Sequence, residues 1–156
     1  TMMPATLRAQ SFDHVMANPP YFDRRAGTSS RDPGRDIAMG EDAPLVAWVD
    51  AAVRRLKPKG TLTMIHRVER LPDMLEACDS RLGKLTLLPI AARQGQGAER
   101  VILRAEKGAK APFRLMPPLV MHVGDRHTRD GDDYTARISA VLRNGASLEA
   151  AFSTAS

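Results

Sequence analysis

The sequence feature that most constrains the fold is the stretch at residues 12–22, where a short apolar run ends at two consecutive prolines. The run Val-Met-Ala at residues 15–17 is typical of a strand that is buried on both faces. Each proline has a fixed φ and no backbone N–H, so neither can continue a sheet, and each keeps the residue before it extended. We therefore predict a buried strand over residues 12–17 that ends in a stiff corner at residues 18–22.

The corner carries the groups that hold a planar amino group. The side-chain carbonyl of Asn18 and the backbone carbonyl of Pro19 are two acceptors on a stiff backbone. An aromatic or amide amine is a poor nucleophile because its lone pair is delocalised. Two acceptors that hold both of its hydrogens orient this lone pair and favour the positive charge that develops on reaction. The ring of Tyr21 is placed to stack on the ring that carries the amine, a contact worth roughly 1–3 kcal/mol per base.

Phe-Asp-x-Val-x-Ala followed by Asn-Pro-Pro-Tyr-Phe resembles motif IV of S-adenosylmethionine-dependent amino-methyltransferases. These enzymes include adenine-N6 methyltransferases of DNA and RNA and the glutamine methyltransferases of release factors. The resemblance implies that Asn18, Pro19, Pro20 and Tyr21 are the catalytic residues, with Phe22 as a wall of the substrate pocket. The alternative interpretation is an ordinary proline-rich turn after a strand.

The composition limits the class of protein. The 156 residues are 43% apolar and 26% charged, which suffices for one domain with a core. The net charge of +5 permits a nucleic-acid partner, and no run approaches the ~18 apolar residues of a membrane span. The single cysteine, Cys78, can form no internal disulfide, so we expect a reducing, cytoplasmic location. We predict a buried, unreactive thiol at this position.

The stretch at residues 23–42 is rich in Gly, Ser, Arg and Asp and has no helical or strand period. One interpretation is a mobile surface loop with balanced charge. The other is a substrate lid whose arginines contact phosphates, and on this interpretation Arg24 and Arg25 are substrate-binding residues.

A helix–strand–helix order follows the loop. The pattern predicts a helix that opens at residues 41–44 and runs to Leu56, a strand over residues 60–66, and a helix over residues 71–82 that Gly83 ends. This order favours parallel strands with right-handed crossovers. His66 lies at the carboxyl end of the second strand, where ligands gather in such sheets. It either lines the substrate pocket or is a hydrogen-bonded structural histidine.

The tail predicts antiparallel structure. Strands over residues 84–90 and 100–105 form a hairpin, and an extended segment at residues 113–123 is interrupted by two prolines. A turn at residues 130–133 and a helix over residues 134–142 complete the chain. The histidines near residues 122–127 lack the ligand spacing of a zinc site, so we predict no metal.

This order resembles the C-terminal half of a Rossmann-like class I methyltransferase sheet, with parallel strands followed by an antiparallel hairpin. The fold class is thus α/β, and residues 1–156 are one partial domain. The segments at residues 57–60, 98–103, 118–122 and 134–135 resemble bacterial enzymes that methylate the adenine beside the anticodon of a valine tRNA. The resemblance implies methyl transfer from S-adenosylmethionine to the N6 amine of an adenine in tRNA.

The same resemblance implies a Gly-rich cofactor loop that the sequence lacks, so no cofactor-binding residue is assigned. We expect this chain alone to be inactive and to self-associate through an exposed sheet edge. A protein glutamine N5-methyltransferase and a non-catalytic RNA-binding module remain the alternatives.

Overall fold

The computed structural model describes residue 6 and residues 9–20, 44–124 and 133–153. In these ranges the strands are β1 (Phe12–Ala17), β2 (Leu56–Arg67), β3 (Leu82–Ala91), β4 (Ala98–Lys107), β5 (Arg114–Leu115) and β6 (Leu119–Val120). The α-helices in the same ranges are α1 (Leu45–Arg55), α2 (Leu71–Ala77) and α3 (Ala136–Asn144), and short 3-10 turns occupy Val68–Arg70 and Glu149–Ala151.

The strands form one mixed sheet in the order β1-β2-β4-β3-β5, with β6 also paired to β3. β1 is parallel to β2, and β4 is antiparallel to both β2 and β3. β1, β2 and β3 therefore run in the same direction, and their carboxyl ends meet at one edge of the sheet. The predicted fold class, parallel strands followed by an antiparallel hairpin, is confirmed.

Helix α1 follows from an apolar stripe that packs against the sheet. Leu45, Val49, Ala52 and Val53 recur at helical spacing, and all four are buried. The helix ends at Arg55 instead of Leu56, and β2 begins four residues before the predicted strand. The reason is an irregularity in the pairing of β1 with β2, where the register shifts at the amino end. Such a bulge accommodates Pro58, which lies inside the early part of β2.

Helix α2 is shorter than predicted. It covers Leu71–Ala77 instead of residues 71–82, because Cys78 leaves the helical region with φ −82° and ψ 77°. Gly83 lies inside β3 and does not end a helix. A Cβ at this position would lie 1.9 Å from the carbonyl oxygen of Ala109, so a close approach of two backbone segments requires the glycine.

The sheet carries a hydrophobic cluster on each face. α1 and α2 cover one face, where Leu62, Met64 and Leu103 are completely buried. The half-buried thiol of Cys78 packs against this cluster, and burial raises its pKa to about 11. The second cluster lies between β3, β4 and the C-terminal segment, and contains Leu88, Met116, Leu119, Ile138, Ala151 and Phe152.

Strand β1 has the predicted bounds but not the predicted burial. The exposed fraction of Met16 is 82%, and Val15 and Ala17 are half-buried. The reason is that β1 pairs with β2 alone among the described residues and packs against α1 on one face. The predicted interior strand is an edge strand in this part of the chain.

The C-terminal helix α3 begins at Ala136, two residues after the predicted start. The side chain of Thr135 caps it by accepting a hydrogen bond from the Ile138 N–H. Gly145 ends it with a φ of 65°, a conformation that glycine adopts readily. Among the described residues, no helix has the length and apolar character needed to cross a bilayer.

Several predicted features lie outside the described residues. They are Tyr21, Phe22, Arg24 and Arg25, together with the rest of the stretch at residues 23–42 and most of the predicted turn at residues 130–133.

Candidate functional site

The corner after β1 lies at the sheet edge where β1 and β2 end. Ala17 is the register partner of Met64, so the corner runs beside the last residues of β2. The side chain of Asn18 is exposed, whereas Pro19 is fully buried and Pro20 is half-buried. The corner thus presents the Asn18 amide at the surface of the protein. The buried Pro19 anchors the corner in the interior.

His66 lies behind this corner. Its side chain is 1% exposed, and its Nδ1 accepts a hydrogen bond from the Arg67 N–H at 2.8 Å. The backbone of Pro20 lies near enough to the ring to favour its protonated form and so to raise its pKa. Because Nδ1 accepts the hydrogen bond from the Arg67 N–H, the neutral imidazole has its proton on Nε2.

The burial of His66 has two consequences. A ring that is 1% exposed does not form the wall of an open pocket, so its position does not support the interpretation as a substrate-binding residue. Burial lowers the pKa of the imidazole, and the positive charges of Arg70 and Arg67 lower it further. The Pro20 carbonyl and Asp73 act in the opposite direction, but burial is the largest effect.

A polar cleft of about 290 Å³ opens where β2 ends and β4 begins, and it is lined by Arg67, Glu69, Glu99 and Arg100. Arg67 and Arg100 are direct partners across the antiparallel pair. Like charges at opposed positions of two strands repel each other. The carboxylates of Glu69 and Glu99, which line the same cleft, supply negative charge that offsets this repulsion. The sequence did not indicate the pair of arginines, since it depends on the register between two strands.

A second polar cluster lies where β3 and β6 end, so it belongs to the same sheet edge. Arg93 binds both the Asp133 carboxylate and the Val123 carbonyl. Asp133 Oδ1 also lies 2.6 Å from His122 Nδ1, and the His122 ring stacks on Tyr134 with centroids 4.9 Å apart. The cluster joins the two ends of the segment at residues 124–132. In the described parts of the chain, no group of three or more His, Cys, Asp or Glu side chains is arranged to hold a metal.

Comparisons with known proteins agree with this architecture. No family model matches the chain. A predicted O-methyltransferase of Agrobacterium tumefaciens superposes with a TM-score of 0.67 and 27% identity, over 89% of this chain and 54% of that one. The chain has a methyltransferase fold.

Two curated relatives carry a more specific name. A tRNA1(Val) (adenine(37)-N6)-methyltransferase of Aeromonas hydrophila is 33% identical over 108 residues, which are 66% of this chain and 44% of the relative. The enzyme of that name from Actinobacillus pleuropneumoniae serotype 7 is 30% identical over 95 residues, 60% of this chain and 39% of the relative. The chain thus matches less than half of the length of each relative. The resemblance to the valine-tRNA adenine-N6 methyltransferases that the sequence predicted is confirmed.

The described residues do not supply a binding loop for a nucleoside cofactor. In residues 9–20, 44–124 and 133–153, no strand is followed by a Gly-rich turn into a helix. Gly95 and Gly97 lie between the antiparallel strands β3 and β4 instead.

Proposed function

We propose that the protein carrying this chain transfers a methyl group from S-adenosylmethionine to the exocyclic N6 amine of an adenine in tRNA. We also propose that this chain supplies the substrate side of the site. The observation that carries the proposal is the position of Asn18, exposed at the carboxyl end of β1 on a corner anchored by the buried Pro19. The names of the two curated relatives support the choice of tRNA as substrate.

The chemistry of the corner favours an amine over a hydroxyl as the methyl acceptor. The structural neighbour is named a predicted O-methyltransferase. A hydroxyl needs a base to take its proton, and neither an amide nor a proline carbonyl has that basicity. Two carbonyl acceptors match the two hydrogens of a planar NH2 group, and they stabilise the positive charge on nitrogen as the new C–N bond forms.

The roles of the individual residues follow from this arrangement. Asn18 Oδ1 and the Pro19 carbonyl accept the two amine hydrogens and hold the nitrogen lone pair toward the methyl group. Because Pro19 is fully buried, its carbonyl must become accessible when the target base enters the site. Tyr21 stacks on the adenine once it is turned out of the RNA, and Phe22 closes the pocket beside it. Methyl transfer is then a direct displacement without a covalent enzyme intermediate.

Two arginines beside the corner in the structure and two that follow it in the sequence suit the RNA backbone. Arg67 and Arg100 line the cleft beside the corner, and Arg24 and Arg25 follow the corner in the sequence. Guanidinium groups bind phosphates through paired N–H donors. We assign these four side chains to the phosphates that flank the target adenine. Their contribution is expected to weaken as the salt concentration rises.

The test is a methylation assay of the complete protein with three substrates: unmodified tRNA, the same tRNA with its target adenine replaced by guanine, and a release-factor peptide that contains a glutamine. Methyl groups at adenine N6 in the first substrate alone are the expected result. Methylation of the glutamine would support the alternative enzyme. RNA binding without methylation of any substrate would support a non-catalytic module.

We further propose that the isolated chain self-associates through β1. This strand pairs with β2 alone among the described residues, and Met16 on it is 82% exposed. An unpaired strand edge with an apolar side chain is a template for a second copy. Because a lysine on an edge strand opposes such pairing, we expect Met16→Lys to shift the chain toward monomer in sedimentation experiments.

The matched control for this prediction is Leu142→Lys, which adds the same charge at another exposed apolar residue, 58% exposed in α3. The control should leave the association unchanged. If Met16→Lys and wild type sediment alike as oligomers, β1 is not the contact.

A further inference from the structure

A groove of about 540 Å³ opens at the carboxyl ends of β3 and β6. Its lining residues in the described part of the chain are Gln94, Val120, His122, Val123, Gly124 and Thr135. No lysine, arginine or carboxylate is among these six residues. Because proteins neutralise phosphates chiefly with lysine and arginine, the groove suits a neutral polar group better than a phosphate.

Arg93 lies beside this groove but is engaged within the protein. It is 9% exposed, and its guanidinium binds the Asp133 carboxylate and the Val123 carbonyl. The ion pair with Asp133 offsets the positive charge of the guanidinium. Arg93 therefore fixes the wall of the groove at Val123 and does not serve as an anion-binding side chain.

The Asp133 carboxylate also fixes the ring of His122. Asp133 Oδ1 lies 2.6 Å from His122 Nδ1, and since a carboxylate only accepts hydrogen bonds, Nδ1 carries the proton. The ring also stacks on Tyr134, with centroids 4.9 Å apart. In the neutral imidazole Nε2 is then an acceptor, and it has no hydrogen-bond partner in residues 9–20, 44–124 and 133–153. The groove thus contains an acceptor whose direction is set in advance.

Gln94 supplies the second polar group of the groove. Its side chain is exposed, and its amide has no hydrogen bond within the part of the chain that the structure describes. The hydroxyl of Thr135, in contrast, is already bonded to the Val120 carbonyl and the Ile138 N–H. A glutamine amide offers a donor and an acceptor side by side, which is the pattern that pairs with the edge of a nucleobase.

The groove lies on the same edge of the sheet as the amine-binding corner, but not next to it. The order of the strands places β2 and β4 between β1 and β3. Three strand spacings, about 14 Å, therefore separate the ends of β1 and β3. This distance is longer than a nucleobase, so a base in the groove belongs to a nucleotide other than the one in the corner.

We propose that this groove binds a second, unpaired nucleobase of the RNA substrate, and that Gln94 and His122 form the hydrogen bonds to its edge. The inference rests on the proposed function, since it needs an RNA substrate. Proteins recognise RNA sequence mainly at unpaired bases, whose edges are accessible. The groove selects the RNA, and the methyl transfer takes place at the corner.

The chain offers a matched pair of variants for a kinetic test. Gln94 and Gln96 are both exposed in the connection between β3 and β4, and Gln94 lines the groove whereas Gln96 does not. In the complete protein, Gln94→Ala should raise KM for tRNA about three- to tenfold with kcat within about twofold, because it removes a contact made equally in the ground and transition states. Gln96→Ala should keep the wild-type KM, and equal KM values in the two variants would overturn the proposal.

A binding experiment identifies the base and does not depend on methylation. A series of tRNAs, each lacking the base of one unpaired nucleotide, is titrated into wild type, Gln94→Ala and Gln96→Ala. At one position other than the target, loss of the base should weaken the binding of wild type and Gln96→Ala about tenfold or more. The loss should be about three- to tenfold smaller in Gln94→Ala, because the base and the amide form one interaction. Equal losses in all three proteins at every position would refute the groove.

His122→Phe tests the other half of the site. The variant keeps a flat ring beside Tyr134 and removes the Nε2 acceptor, while Arg93 still pairs with Asp133. It should reduce the cost of base loss at the same RNA position as Gln94→Ala, and a wild-type cost at that position would contradict the proposal. A protein that shows this dependence on Gln94 but methylates no adenine would instead refute the proposed function, so the two failures are distinguishable.

Discussion

Replacing Asn18 by alanine is expected to lower kcat for adenine methylation by about 10²–10³-fold, the usual cost of removing one preorganised group that stabilises charge in the transition state. The unfolding free energy should change by less than about 0.5 kcal/mol, because the Asn18 side chain is exposed while the buried Pro19 anchors the corner. Steady-state kinetics and urea unfolding of the same preparation measure both quantities.

The matched variant for this prediction is Asn18→Asp. It keeps an oxygen acceptor at the same distance from the backbone, so part of the activity should remain. Asn18→Ala with wild-type turnover would show that the side chain does not hold the acceptor amine. A large loss of stability in Asn18→Ala would show instead that the residue serves the fold.

The largest expected effect on stability is that of Leu103→Ala. Leu103 is 0% exposed at the centre of β4, where its register partners are Met64 on β2 and Leu87 on β3. The truncation removes buried methyl groups and leaves a cavity between the sheet and the helices that cover this face. We expect a loss of about 2–5 kcal/mol in the unfolding free energy, which is a large part of the roughly 5–15 kcal/mol that stabilises a typical domain.

Leu142→Ala removes the same atoms from a leucine that is 58% exposed in α3. It should change the unfolding free energy by less than about 0.5 kcal/mol. Urea titrations with equal m-values for the two variants and wild type give the comparison directly. Similar losses in both variants would contradict the position of Leu103 between β2 and β3.

The elements that local signals determine could be predicted from the sequence. The two consecutive prolines predicted the end of β1, and the apolar stripe predicted α1. The glycines between two β-rich runs predicted the hairpin of β3 and β4. α2 was predicted too long, since its end depends on the conformation of Cys78 and on the need for glycine at residue 83. Neither the conformation of Cys78 nor the need for glycine at residue 83 interrupts the helical spacing of apolar residues in the sequence.

The features that depend on register could not be predicted. His66 lies behind the corner, and Arg67 lies opposite Arg100, only because of how β2 pairs with β1 and β4. The burial of β1 was also misjudged, since an apolar run looks the same at the centre and at the edge of a sheet. The amide at Asn18 was the clearest signal, because its chemistry is set by the residues next to it.

The most direct measurement of the central claim is a binding cycle with the complete protein. Wild type and Asn18→Ala are each titrated with a target RNA that carries adenine and with one that carries purine, which lacks the exocyclic amine. If Asn18 and the Pro19 carbonyl both hold that amine, wild type should bind the adenine RNA more tightly than the purine RNA, and Asn18→Ala should lose roughly three- to tenfold of this preference, the value of about one net hydrogen bond. The same preference for adenine in both proteins would contradict the claim.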